Sequence, residues 1–414
     1  MLSLSIFILL IVFILIAIRQ IGNIKLQIWQ IMLFGALAVL ITNQISLSNA
    51  FKSINLDVIL FLFGMFVIGV ALEESGYLSH LSYKYFKRAK TLNSLLLLIL
   101  FGAGIASAFL MNDTLAIIGT PLVILLAKKH KINPKILLIA LAFSVTIGSV
   151  MSPIGNPQNL LIAINGEVNN PFLTFFRYLI IPTIINLFLT FFIIKLFYKG
   201  HFNNEILNHS QEPIKDSKLA KLTKISLCLV ISLVVIKILI VSFKFPFDFK
   251  LTYIALISAL PIIIFSEKRI SIIKKVDWYT LIFFAAMFIL MQSVWDSGFF
   301  QSAISSMNLN ITSIPIILTI SIILSQLISN VPMVALYLPS LLNLGASTKE
   351  MIALAVGSTI AGNLLILGAA SNIIIIQNAE KKSGETISFI EFAKIGIPLT
   401  IINSLVYWIF LVLF

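Results

Sequence analysis

Asn112-Asp113-Thr114 interrupts an apolar stretch running from Leu92 to Ala127, and Ser329-Asn330 interrupts a second one at 312–342. A carboxylate at mid-depth in hydrocarbon costs roughly 3 kcal/mol, so polar groups there mark a site. Amide and hydroxyl oxygens can coordinate Na+ or hydrogen-bond a small oxyacid. The Asp113 carboxylate can coordinate Na+, or bind and release a proton when desolvated. The plain reading of Asp113 is a helix N-cap, and the two roles are compatible.

A second pair of motifs carries the same kind of chemistry. Ser149-Val-Met-Ser152-Pro153-Ile-Gly155-Asn156-Pro157-Gln158-Asn159 holds two prolines and a glycine, so it cannot continue as regular helix. Such a break leaves N–H and C=O groups whose partial charges bind the anionic and cationic parts of a ligand. Gly368-Ala369-Ala370-Ser371-Asn372 repeats the glycine and asparagine at the same spacing. The competing reading is a proline kink whose amides only satisfy the broken backbone. The candidate substrate-binding residues are Asn112, Thr114, Gly155, Asn156, Asn159, Ser329, Asn330, Gly368, Ser371 and Asn372, with Asp113 for ion coupling.

These motifs recur in order. Ser107, Asn112 and Pro121 are matched by Ser325, Asn330 and Pro339; Asp57 to Tyr77 resembles Asp277 to Phe299; and Phe176 to Asn186 resembles Phe392 to Asn403. Shared order and spacing point to a duplication.

The elements that must position the motifs follow from hydropathy. With 59% hydrophobic and 11% charged residues over 414 and a mean hydropathy of +1.06, the chain lies outside the range of soluble domains. Runs long enough to cross about 30 Å of hydrocarbon fall at 2–18, 28–48, 54–72, 135–164, 172–198, 222–243, 250–266, 277–297, 350–378 and 389–413. The segments 92–127 and 312–342, each broken in the middle, read as re-entrant hairpins. The expectation is an all-α polytopic membrane protein with about ten transmembrane helices, two hairpins and two broken helices. The first repeat covers 1–198, a cytoplasmic linker 199–221, and the second repeat 222–414. Five crossings per copy invert the second copy, the architecture by which many secondary transporters build a midplane site.

The net charge of +13 comes from Lys and Arg in short loops, which argues for topology and against nucleic acid. Lys84, Lys87, Arg88, Lys90, Lys128, Lys129, Lys131 and the 195–224 and 268–275 groups are placed inside, which puts both termini outside in a cell membrane. The one cysteine, Cys228, excludes an intrachain disulfide, and the four histidines lack metal-ligand spacing. No G-x-x-x-x-G-K-[ST] occurs, which argues against ATP hydrolysis within the chain and leaves a separate ATPase subunit open. No nucleophile–base pair sits at a matching depth, so no enzyme activity and no cofactor is expected beyond Na+ or H+ as coupling ion. The expected partners are the lipid bilayer and a small inorganic or organic ion.

On Asn112-Asp113-Thr114 with Thr120-Pro121, the Gly155–Asn159 break, Ser329-Asn330-Val331-Pro332 and Gly368-Ala-Ala-Ser371-Asn372, the chain resembles the ion transporter superfamily. Within it the likeness is to the arsenite-efflux permease and sodium/proton antiporter branch, related to the divalent anion/sodium symporters. In those symporters a Ser-Asn-Thr motif at each hairpin tip lines the sodium and carboxylate sites; here the tips read Met111-Asn112-Asp113-Thr114 and Ser329-Asn330-Val331. The resemblance implies a homodimer with elevator-like movement. The function expected is ion-coupled transport of a small anion or an arsenite-like metalloid oxyacid. A Na+/H+ antiporter using Asp113 and a dicarboxylate/sodium symporter are the alternatives.

Overall fold

The computed structural model describes residues 4–18, 20–21, 24–25, 27–202, 214–243, 245, 249–299, 302 and 311–414. Apart from a two-residue antiparallel pairing of Gln20–Ile21 with Ile24–Lys25, the described secondary structure is helical. Six helices are long and apolar enough to cross a membrane.

The first repeat runs α1 (Leu4–Ile18), α2 (Ile28–Ile41), α3 (Leu47–Ser53), α4 (Leu56–Ser75), α5 (Tyr77–Phe86), α6 (Leu92–Leu110), α7 (Asn112–Lys129), α8 (Pro134–Ser149), α9 (Pro157–Asn165) and α10 (Pro171–Phe197). The second runs α11 (Ser217–Ser242), α12 (Leu251–Phe265), α13 (Arg269–Lys275), α14 (Trp278–Asp296), α15 (Ile314–Ile328), α16 (Asn330–Asn343), α17 (Thr348–Ile360), two short 3-10 turns at Ala361–Asn363 and Ile366–Gly368, α18 (Ala370–Ser383) and α19 (Phe389–Leu413). Both expected hairpins and both broken helices are present.

Three places differ from the hydropathy reading, one of them α13, a short helix at Arg269–Lys275 where a basic loop was expected. The run at 28–48 stops as helix at Ile41, and α3 begins separately with Ser46 capping Asn49 N–H. Residues 73–91, read as span end and loop, contain α5: Gly76, at φ +70°, ends α4 in a left-handed cap and a new helix starts at once. Hydropathy averages over a window and does not register such a stop.

Packing sorts the helices into two bodies. One holds α1, α2, α4, α11, α12 and α14, with α4 against α11 and α12, and α2 against α1 and α14. Gly64 permits a close approach of α4 to α12, since a Cβ there would stand 2.8 Å from the Ala255 backbone. The other body holds α6 to α10 and α15 to α19. Within it each hairpin lays its first arm on its own broken helix, α6 on α8 and α15 on α17. The second arms divide between the repeats: α7 packs on α8 and α18, and α16 on α17 and α9. The repeats therefore interlock. The bodies touch where α4 meets α7 and α9, where α14 meets α16, and where α1 meets α15 and α10 meets α11.

Span-end charges behave as caps and pairs. Asp277 accepts from Thr280 N–H at 3.1 Å, and Asp57 pairs with Lys250 at 3.1 Å. Asp216, at the end of the linker, caps α11 through Leu219 N–H (3.0 Å) and pairs with Lys268 at 2.8 Å. The Leu219 bond and Lys268 hold its carboxyl below the usual carboxylate range, while Asp216 raises Lys268.

Candidate functional site

Each hairpin reverses at a single residue. Met111, between α6 and α7, has φ 68° and ψ 144°; Ser329, between α15 and α16, has φ 70° and ψ 160°. Non-glycine residues seldom adopt this backbone, which costs on the order of 1–3 kcal/mol and persists only where packing imposes it. The same strain at matched positions makes the tips structural equivalents. Asn112 and Asn330 are then the first helical residues of α7 and α16, so each tip presents a helix N-terminus.

The first tip is fastened to the first break. Asn112 N–H donates to Gly155 O at 2.9 Å, and Asn112 Oδ1 accepts from Asp113 N–H at 2.9 Å. Gly155 is required, because a Cβ would come within 2.3 Å of Ser149 O. Asn156 caps α9 by accepting from Asn159 N–H at 2.8 Å. Asn159 Nδ2 faces the carbonyls of Ser149, Val150 and Ser152 at 3.1, 3.3 and 3.0 Å, satisfying the end of the broken α8. The last member comes from the other repeat. Thr359 on α17 accepts from Asn156 Nδ2 at 3.1 Å, lies 3.5 Å from Gln158 Nε2, and donates to Asn159 Oδ1 at 3.1 Å. Asn156, Asn159 and Thr359 are fully buried.

The second half is built to the same plan and finished differently. Gly368 again allows a close pass, since a Cβ there would stand 2.5 Å from Ala361 O. Asn372 Nδ2 donates to Gly362 O at 2.6 Å, which fixes the amide orientation and leaves Asn372 Oδ1 with no partner. Ser371 Oγ, Asn330 Oδ1, Ser325 Oγ and Gln326 Oε1 are likewise buried and unpartnered. Among the described residues no bond from Asn330 N–H to Gly368 O repeats the latch of the first half. Thr114 Oγ1, at the first tip, is also buried without a partner. Its methyl lies 2.6 Å from where a Cβ on Gly69 of α4 would stand, so the tip rides directly on the first body.

Asp113 is half-buried, and among the described residues its carboxylate makes no hydrogen bond or ion pair. It is therefore not the side-chain N-cap that the plain reading anticipated, since the residue before Asn112 fills that position. No group of three His, Cys, Asp or Glu side chains suited to a metal occurs among the described residues. The structure thus brings Asn112, Gly155, Asn156 and Asn159 into one bonded unit, and leaves Thr114, Asn330, Ser371 and Asn372 with buried atoms free to meet a ligand.

Sequence reasoning passed over Thr146, Gln326 and Thr359. Thr359 could have been found: the separation that relates Gly155 to Gly368 and Asn159 to Asn372 also relates Thr146 to Thr359.

Two opposed hairpins beside two broken helices, all enclosed by apolar spans, define a multi-pass membrane transporter. The chain belongs to the citrate transporter family, whose profile matches residues 8–350. It is 24% identical to the P protein of Sus scrofa over 90% of this chain and 54% of that one, so it spans about half the length of such relatives. It is 25% identical to the silicon efflux transporter LSI3 of Oryza sativa subsp. japonica, covering 89% of each. The crystal structure of the Alcanivorax borkumensis YdaH transporter, described as having an unusual topology, matches with a TM-score of 0.58 at 15% identity, covering 99% of this chain and 96% of that one. That likeness concerns the fold.

Proposed function

We propose that the chain is an ion-coupled secondary active transporter of a small anion or metalloid oxyacid, working by alternating access in the cell membrane with both termini outside. The observation that carries this reading is the set of four helix N-termini at the two tips and the two breaks, those of α7, α9, α16 and α18. Each carries about half a positive charge, and together they attract an anion without Arg or Lys. A weakly charged or neutral oxyacid suits such partial charges. Silicic acid, which the silicon of a relative's name suggests, is neutral and matches that chemistry; the family's citrate is oxygen-rich too but carries about three negative charges at neutral pH, more than such partial charges suit. The residues are in a transport role and not a catalytic one.

Asp113, the unbonded carboxylate beside the first tip, serves as the coupling group. Purified protein in proteoliposomes should accumulate arsenite, silicic acid, phosphate or citrate in response to a Na+ or H+ gradient, and Asp113→Asn should lower that accumulation. Flux that stays gradient-driven and undiminished in Asp113→Asn would remove the residue from coupling.

The same lone carboxylate supports a second reading, a Na+/H+ antiporter in which the cation is the cargo. Acid-quench fluorescence in everted vesicles separates the two: Na+-induced dequenching without any added anion favours the antiporter. A dicarboxylate/sodium symporter would instead show citrate or succinate flux that requires Na+. The homodimer and a separate ATPase subunit are tested by the mass of the detergent-purified complex.

A further inference from the structure

α11 is the least covered of the six long apolar helices: 22% of its apolar window is buried inside the protein, against 39% or more in the other five. Its bare face is ordered along the helix axis. Lys221, Lys224, Cys228, Ile231 and Val235 follow one another at intervals of three and four residues, so they stand in one row, and all five are exposed. The row begins with two cations and continues as apolar surface.

The acids around that end are already taken. Asp216 pairs with Lys268 at 2.8 Å, Glu267 with Lys218 at 2.9 Å and Glu74 with Lys275 at 2.7 Å. Among the described residues no acid pairs with Lys221, Lys224 or Lys274. The first two of these pairs also tie the chain just before α13 to the first turn of α11, which brings a second amphipathic element to the same level. α13 packs on α4 and α12, with Ile272 buried and Ile270 64% exposed. Just ahead of it Phe265 is 71% exposed, and just behind it Trp278 stays exposed while donating its indole N–H to Ile273 O at 2.9 Å. A short amphipathic helix flanked by lysines and an indole has the composition of an element lying in the headgroup layer.

We propose that the start of α11 is a binding site for an anionic phospholipid, whose headgroup phosphate meets Lys221 and Lys224 and whose acyl chains lie along Ile231 and Val235. The chemistry selects this occupant over the others. A free phosphate would use the lysines and leave the apolar row bare. A zwitterionic lipid would bring its own cation against them. A second copy docked through the same row, across a two-fold axis along the membrane normal, would set Lys221 and Lys224 against their own images, and like charges repel. The inference stands apart from the choice of transported substrate.

The test is the thermal unfolding midpoint of the full-length protein, delipidated in detergent and titrated with dioleoylphosphatidylglycerol or dioleoylphosphatidylcholine. Phosphatidylglycerol should raise the midpoint along a saturable curve, and phosphatidylcholine should not. A lysine beside an anionic headgroup is worth about fivefold in binding, so Lys221→Gln/Lys224→Gln should raise the half-saturating lipid concentration roughly 30-fold. Lys221→Arg/Lys224→Arg should restore it, because the charge returns. Lys84→Gln/Lys87→Gln, which removes two exposed cations at the end of α5, should leave it unchanged.

Equal stabilisation by the two lipids, or a wild-type half-saturation in Lys221→Gln/Lys224→Gln, overturns the site. So does a Lys84→Gln/Lys87→Gln shift as large as that of the α11 pair, since the lipid would then answer to overall charge. Lys224→Cys in a Cys228→Ser background places a lone thiol in the row. In intact membranes a polyethylene glycol maleimide should shift its mass and a short bis-maleimide should give no dimer. A thiol that does not react means that protein covers the row, and a cross-linked dimer makes a second copy the occupant; either result overturns the inference.

Discussion

Asn403 Nδ2 donates a 2.9 Å hydrogen bond to Asn186 Oδ1, joining asparagines from the last helices of the two repeats. Both are fully buried, on α19 and α10, and Asn363 Nδ2 extends the chain by donating to Asn403 Oδ1 at 3.2 Å. The contact lies where the pseudo-symmetric halves face one another, and Thr183 with Tyr407 repeats the cross-link at 2.8 Å. Asn403→Ala should orphan two buried groups at about 1–3 kcal/mol each. The double variant Asn186→Leu/Asn403→Leu should cost less than the sum of the single changes, and thermal unfolding in detergent measures both.

Gly69 is the point at which the first body meets the first tip. A methyl there would stand 2.6 Å from Thr114 Cγ2. Gly69→Ala should therefore slow transport, and adding Thr114→Ser, which deletes that methyl, should recover much of the rate. Initial flux in proteoliposomes is the readout, and failure of the second change to help would place the defect within α4.

The tip dihedrals predict opposite signs for two changes at one position. Ser329→Gly relieves a φ of 70° and should be neutral or stabilising by up to about 1 kcal/mol. Ser329→Val places a β-branched residue at the same angle and should destabilise by roughly 1–3 kcal/mol. Thermal midpoints in the absence of substrate check the pair.

The linker's attachment has a pH signature. Lys215 and Asp216 N–H groups both donate to Ser75 O, at 3.0 and 3.2 Å, and Asp216 caps α11. The folded carboxyl sits below its ordinary value of 3.8, so its contribution is complete above about pH 4 and fades as pH falls through the lowered folded value. Hydrogen exchange across 214–222 should be flat from pH 7 to 5 after correction for intrinsic rates, and protection should drop only once the pH falls below the ordinary carboxyl value of 3.8. Asp216→Asn should remove that step.

The amino-acid order by itself determined the membrane class, the two hairpins and the two breaks, because each is a local signal: long apolar runs, polar residues inside them, and Pro with Gly where helix cannot continue. The repeat was legible for the same reason, as Gly155–Asn159 and Gly368–Asn372 keep their spacing. The short helices α3 and α5 were not, since their starts depend on single caps such as Ser46 and Gly76. What only the tertiary structure decided is which polar groups are already taken. Asn159 and Asn372 look alike in the chain, yet one has its oxygen filled by Thr359 and the other has no partner. That difference is decided where α17 packs against α8 and α9, so the bonding of the first break depends on a side chain two hundred residues away.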